Sequence, residues 1–418
     1  MTKTIPTLLL LITILILPIS KQLKADDFSK ALQATIHNHP EIKAKLEEIH
    51  AHESAVSSSQ AAYYPSLSAQ INNMDDNYQQ GLLKLQQPIY TFGKTSNAID
   101  LAKSKLNSQQ LSLIVLKRQL LEQTALIYAQ KIGVLKQIDI AKTNVEEHQQ
   151  LLNHINRRQQ GKLAATVDVS LGESRLIMAA SQLEKLNANL DNINTELRSI
   201  TGSTKNFLAP IPLESIELTD MNSLIQKALS NSASIAHQYA LIEESKINIE
   251  NKKISLYPNL MLRAERDFLD DSITGDNTRI GISLEASFES MGLVAHHQTN
   301  EQAANHANNL MKLEVLKQDT VKQMTNWQNS RLLNQKQIQT HDKAITIVNK
   351  IMESYIRLYK SGRKSLIDVL NIQRELTELR IQKHNAQTQW LIDSLHIAAL
   401  IGQLDQFTGL GTDSSTEK

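Results

Sequence analysis

Shifted by 193 positions, Asn38 onto Asn231, the segment from Asp27 to Leu67 recurs without a gap. Ile42 meets Ile235, Ile49 meets Ile242, Tyr64-Pro65 meets Tyr257-Pro258, and Leu67 meets Leu260. A unit that recurs is one architecture built twice, and this overrides the two or three unrelated domains that 418 residues would otherwise suggest. In each copy the hydrophobic period changes along the chain. From Asp27 to Tyr63, Ile36, Ile42, Leu46, Ile49 and Val56 are spaced for one helical face. The Tyr-Pro step then ends the helix, because proline pushes the residue before it toward extended geometry.

Beyond each Tyr-Pro the period drops to two. Leu67, Ala69 and Ile71 alternate with Ser66, Ser68, Gln70 and Asn72. After a polar turn at Asp75-Asp76-Asn77, Leu83, Leu85 and Ile89 alternate with Lys84, Gln86 and Pro88. In the second copy Leu260, Leu262 and Ala264 alternate with Met261, Arg263 and Glu265. Past a longer loop from Asp270 to Asn277, Ile280, Ile282, Leu284, Ala286 and Phe288 alternate with Gly281, Ser283, Glu285 and Ser287. The strands are placed at about 66–74, 81–90, 259–268 and 279–289. Alternations this short suit a half-buried soluble hairpin as well as a strand with one face in lipid. Four strands cannot close a barrel, so the membrane reading requires several chains to share one.

Each hairpin ends at a glycine, Gly93 or Gly292, and a proline-free helical pattern follows, about Thr95 to Arg158 and Leu293 to Tyr359. Leu121, Ala125, Tyr128, Ile132 and Leu135 fall at alternating steps of four and three, as do Ile345, Val348, Met352, Tyr355 and Tyr359. That is a coiled-coil seam, and sixty-odd residues of helix extend roughly 90 Å. Each pattern turns at a glycine and returns at an aspartate. Gly161 precedes Asp168-Val169, and Gly362 precedes Asp368-Val369 with one residue fewer between. A glycine past a helix end takes the left-handed conformation that closes it, and Thr166 or Ser365 caps the returning helix. On the residues alone, Asp368 reads first as half of a capping box with Ser365.

The return helices run from Thr166 to Ile200 and from Ser365 to Leu400 and close at Gly202 and Gly402. The copies therefore occupy 26–202 and 223–402, joined by a connector at 203–222 and followed by a polar, frayed tail at 403–418. At the start, Lys3 and the apolar run from Pro6 to Ile19 read as a signal peptide over 1–25, with Leu23-Lys24-Ala25 ahead of the cut. The remainder has no apolar helix long enough to span a membrane, so an integral protein must use strands.

Composition narrows the function. Lys and Arg number 44 against 43 Asp and Glu, so no basic face marks a nucleic-acid partner. Absent cysteine excludes disulfides, thiolate metal sites, a thiol nucleophile and a lipid anchor on cysteine. His37 and His39, like His50 and His52, are two apart and do not share a helical face, and His296-His297 fares no better. No metal or cofactor is expected, and no constellation points to an enzyme.

The repeated helix, strand pair and long helix, the Tyr-Pro steps, Gln87-Pro88-Ile89-Tyr90-x-x-Gly93, and Tyr359-x-x-Gly362-x-x-x-x-x-Asp368-Val369-Leu370 together resemble the TolC family from about Asp27 to Gly402. These are the outer-membrane channels of type I secretion and tripartite efflux systems. The resemblance implies a mainly α fold with a small β part. It also implies a homotrimer whose twelve strands form a barrel in outer-membrane lipid, continuous with twelve helices that form a long periplasmic tunnel. The tunnel would be opened at its tips by a periplasmic adaptor and an inner-membrane transporter of ABC or RND type. A gate of tyrosine, arginine and aspartate would fall on Tyr359, Lys364 and Asp168, with Arg363 as the other candidate cation. A constriction ring would fall on Asp368, with Asn371 where a second aspartate belongs. Lysine lacks the two-pronged guanidinium geometry, so a looser latch is expected. The cargo expected is a secreted adhesin or toxin, with drug efflux as the alternative. A periplasmic coiled-coil adaptor without a barrel is the reading from another class, and four strands in two equivalent places speak against it.

Overall fold

Pro40 splits the first helix. The computed structural model describes residues 27–75, 78–212, 220–268, 278–287 and 289–409. The leader expected at 1–25, Asp76-Asn77, Asp270–Asn277, Phe288 and the end of the tail lie outside the described residues. A single helix was expected from Asp27 to Tyr63, but two form: α1 (Asp27–Asn38) and α2 (Pro40–Ala61). Proline removes a helical hydrogen bond and crowds the preceding turn, so it sits as the first residue of α2. His39 turns the chain there, and its Nδ1 accepts from the Glu41 amide at 3.3 Å. The second copy breaks at the equivalent position without a proline. There α5 (Met221–Asn231) gives way to α6 (Ala233–Ile254) at Ser232, whose hydroxyl caps α6 by accepting from the Ile235 amide at 3.3 Å.

The strands β1 (Ser66–Asp75), β2 (Tyr78–Tyr90), β3 (Asn259–Phe268) and β4 (Thr278–Glu285) make one antiparallel sheet in that order. The two copies meet where β2 pairs with β3, Lys84 opposite Glu265 and Leu85 opposite Ala264. β4 stops at Glu285, short of the expected 289, because its pairing partner runs out at Asn259, just after Tyr257-Pro258. The chain then turns through Ser290, Met291 and Gly292, all with positive φ.

Register sorts the side chains cleanly. Leu67, Ala69, Leu83, Leu85, Leu260, Leu262, Ala264, Ile280, Ile282 and Leu284 share one face, with Arg266, Thr278 and Gln87 toward the strand ends as polar exceptions. Ile280, Ile282 and Leu284 are 75%, 68% and 64% exposed. Water would strip such a face bare of stability, whereas hydrocarbon suits it. The opposite face carries Lys84, Arg263 and Arg279 against Glu265, Asp267 and Glu285. Arg279 pairs with Asp267 at 2.7 Å, and Arg263 pairs with both Glu265 and Glu285.

Four helices run away from the sheet: α3 (Lys94–Gln160), α4 (Thr166–Thr201), α7 (Leu293–Lys360) and α8 (Leu366–Leu400). α3 has 67 residues and α7 has 68, so each extends about 100 Å. Among the described residues no helix is long and apolar enough to cross a membrane. The main apolar core lies part-way along these helices. Tyr128 is buried edge-on to Phe28 at 5.3 Å, and its hydroxyl donates to the Ala209 carbonyl of the connector at 2.7 Å. The tail expected to fray contributes to this core. Residues Gln403–Phe407 form a short 3-10 turn with Leu404 and Phe407 buried, and Phe407 packs on Phe28. Arg118 holds the turn through Asp405 at 2.7 Å. Two buried apolar anchors outweigh the polar residues around them.

α3 and α8 approach closely at Gly133, where an added Cβ would come within 2.7 Å of the Thr388 side chain. Gly133→Leu should therefore overpack the pair, costing about 1–3 kcal/mol. The expected readout is a lower thermal midpoint, partly restored by Thr388→Ala in the same chain.

Candidate functional site at the helical tips

The two hairpin turns at the far ends of the long helices share one hydrogen-bond pattern. Leu163 N–H donates to the Arg158 carbonyl and Arg363 N–H to the Leu358 carbonyl, both at 2.8 Å. The tips thus superpose at a constant shift of 200, Lys162 on Gly362, rather than Gly161 on Gly362 with a residue lost. Gly362 takes the left-handed conformation at φ +75°, but Gly161 does not; Lys162 does so at φ +59°. Nor does Thr166 cap α4. It is the first helical residue, and Ala165 is the cap. Asp168 therefore supplies half a capping box, accepting from the Ala165 amide at 3.3 Å. In the second tip the box is complete. Ser365 Oγ accepts from the Asp368 amide at 3.2 Å, while Asp368 Oδ2 accepts from the Ser365 hydroxyl at 2.8 Å.

The Ser365 hydroxyl, with help from Lys364, holds the Asp368 carboxyl below its ordinary range. A lowered folded-state pKa stabilises the tip above the unfolded value, and that stabilisation is lost as pH falls through the folded one. Ser365→Ala should raise the Asp368 pKa toward that of a free carboxylate. Carbon-detected NMR titration of the aspartate carboxyls measures the change.

The two tips are joined by an apolar cluster in which Ile155, Tyr359, Leu366, Val369 and Leu370 are buried. Across it reaches Arg158, a residue that the sequence pattern does not single out. Its guanidinium lies 4.9 Å from the centre of the Tyr359 ring. Nη1 donates to the Tyr359 carbonyl at 2.7 Å and to the Lys360 carbonyl at 3.4 Å, and Nη2 donates to Leu163 in its own tip at 3.2 Å. Those carbonyls end α7, where no helical donor remains and a cation is favoured.

The expected residues are distributed differently around this link. Tyr359 is 5% exposed, and its hydroxyl has no hydrogen-bond partner among the described residues. Burial pushes its pKa up; Arg158 opposes this and Asp168 adds to it, so Asp168 faces the ring electrostatically without bonding to it. Lys364 stays within its own tip, 4.4 Å over the Tyr355 ring and 3.5 Å from Asp368. Arg363 and Asn371 are exposed. The cation on Tyr359 is thus Arg158, not Lys364 or Arg363.

A family model for outer membrane efflux proteins matches residues 31–203 and 224–403, one segment for each copy of the repeat. The chain belongs to the outer membrane efflux protein family. Membership places this efflux channel in the outer membrane. It is 21% identical over 367 residues to the outer membrane protein TolC of Escherichia coli strain K12, covering 83% of this chain and 74% of that one. Among solved structures, the CusC transmembrane channel superposes with a TM-score of 0.78 at 14% identity, covering 90% of this chain and 92% of that one. The outer membrane protein VceC from Vibrio cholerae gives 0.74, also at 14% identity, with 90% and 96% covered. At these identities the superpositions speak for the efflux-protein fold, including its mainly helical build with a small sheet.

Proposed function

We propose that three copies of this outer-membrane channel assemble into a passive exit duct, gated at its helical tips. The observation that carries this is the four-stranded sheet, with β1 and β4 as open edges and a strongly exposed apolar face. Unpaired backbone cannot face hydrocarbon, so the edges must pair with neighbouring copies. Twelve strands then close a barrel in outer-membrane lipid, and twelve helices continue it into the periplasm. The sheet's charged face balances three cations against three carboxylates, which leaves ion selectivity to the tips.

There Asp368 from each copy, with the neutral Asn371 one turn further on, forms a negative constriction. The Arg158 link, flanked by Tyr359 and Asp168, is the latch that a periplasmic adaptor and an inner-membrane ABC or RND transporter release. Lys364 and Arg363 tune the charge around the ring. Leu163, Val167 and Ile367 are 70%, 71% and 59% exposed at the tips, an apolar surface for the adaptor to cover.

For cargo we infer type I secretion of an adhesin or toxin, supported by the lack of any cysteine for a lipid anchor. Multidrug efflux is the alternative. Comparing secreted proteins with drug susceptibility in a deletion strain separates the two. The channel itself is tested in planar bilayers. Purified trimers should give a cation-selective conductance, and Asp368→Ala should reduce the selectivity severalfold. A well-folded trimer that conducts nothing would sink the channel reading.

A further inference from the structure

Gln373 lies on α8 and is 1% exposed, yet neither its amide oxygen nor its amide nitrogen has a hydrogen-bond partner among the described residues. Leaving a buried amide unpaired costs a large part of its desolvation, so a group like this marks a missing partner. It borders a cavity of about 540 Å³ between α3, α7 and α8 of a single chain. That volume falls within the usual range for small-molecule pockets, roughly 300–1,000 Å³. Three more buried atoms on its lining lack partners: Tyr359 Oη, His154 Nε2 and Glu147 Oε2.

The chemistry of the lining selects among occupants. Arg157 and Lys360 border the cavity, and neither is within ion-pair distance of a carboxylate among the described residues. Glu147 is already engaged through its other oxygen by Arg380 at 3.0 Å. On the lining Arg157, Lys360 and Arg380 outnumber Glu147 and Glu353, and burial, then Lys360, Arg157 and Arg158, hold His154 below its ordinary pKa. Met352, Ile356 and Leu376 from α7 and α8 give the lining an apolar part, beside polar Gln150, Asn153 and Asn349 and a second carboxylate, Glu353.

We propose that this cavity is a binding site for a small amphiphilic organic anion, a carboxylate joined to an apolar ring or short chain. The carboxylate lies toward Arg157 and Lys360, with the Gln373 amide as a neutral anchor, and the apolar part lies against Met352, Ile356 and Leu376. Bonds to two cations and an amide would offset the desolvation of the carboxylate, and apolar burial would add to affinity. The cavity belongs to one chain and needs no partner copy, and it shares Tyr359 and Lys360, whose carbonyls take the Arg158 link, with the tips.

The test uses the purified full chain reconstituted in lipid nanodiscs, with 2-naphthoate as the probe and neutral 2-naphthamide as its control, followed by titration calorimetry. Saturable binding of naphthoate is expected, at least tenfold tighter than that of the amide. Arg157→Gln with Lys360→Gln should weaken naphthoate at least tenfold while barely affecting the amide. Both residues are exposed, so this variant is expected to fold; Gln373→Leu should also weaken binding, and near-ultraviolet circular dichroism checks its packing. Absence of saturable binding to the wild type overturns the site. Equal binding of acid and amide, or naphthoate binding indifferent to all three substitutions, overturns it equally.

Discussion

Arg158→Ala is expected to raise the time-averaged conductance of the proposed trimer about fivefold or more, with single-channel openings that are longer rather than merely larger. The side chain makes two hydrogen bonds to carbonyls at the end of α7 and one to Leu163 across the turn of its own hairpin. Bonds from a charged donor contribute roughly 1.5–3 kcal/mol each in favourable settings. Arg158 is half-exposed, so a net of about 1–2 kcal/mol per chain is the reasonable scale once solvent screening is counted. That shifts the balance between joined and separated tips by a factor of about 5–30 in each chain. Arg158→Lys should fall between, because one ammonium cannot span the carbonyls of both hairpins as the guanidinium fork does. Tyr359→Phe should change conductance least. The bond it neighbours goes to the backbone, and the hydroxyl it removes has no partner among the described residues. A Tyr359→Phe channel that opens as readily as Arg158→Ala would place the latch on the hydroxyl and refute the arginine link.

Why Arg158 escaped sequence reading is physical. Its partners are main-chain carbonyls 201 and 202 residues away, and a carbonyl leaves no trace in residue identity. Its aligned position in the other tip is Leu358, so the repeat offers no echo either. The fold was far more legible, because period and punctuation carry it. Tyr-Pro ended both helices, alternation placed all four strands, and coiled-coil spacing gave the long helices to within a few residues. Errors arose where a local cap or turn went unread and where tertiary contact overrides local pattern. Ser232 breaks a helix by capping rather than by proline. Leu404 and Phe407 fold a polar tail back onto Phe28 and Arg118, contacts that no local window contains. β4 ends when its partner does, a property of the pair rather than of its own residues. At the first tip a lysine adopts the left-handed turn beside an available glycine. The backbone path there follows the hairpin geometry and not the residue best suited to it.

Ile282→Lys and Ser283→Lys, neighbours on β4, should part company completely. Ile282 stands opposite Leu262 on the apolar face, and Ser283 stands opposite Met261 on the face that carries the charged residues. Ile282 lies mid-strand, where lysine facing hydrocarbon costs about 2–4 kcal/mol, falling toward about 0–1 near the interface. In the proposed trimer the penalty repeats in every copy, giving about 6–12 kcal/mol on the same scale, comparable to the whole stability of many folded domains. The Ile282→Lys chain should therefore be lost from the outer-membrane fraction or remain as unassembled monomer on unheated gels. Ser283→Lys should assemble at near-normal levels, since its ammonium enters water beside Glu285. It should leave its mark on conductance instead, by adding three positive charges to the proposed lumen, which is otherwise balanced between cations and carboxylates. The reverse result, with Ile282→Lys tolerated and Ser283→Lys excluded, would mean that the sheet presents its other face to lipid. Tolerance of both would mean that neither face meets hydrocarbon, and the barrel would have to be abandoned in favour of a sheet buried between proteins.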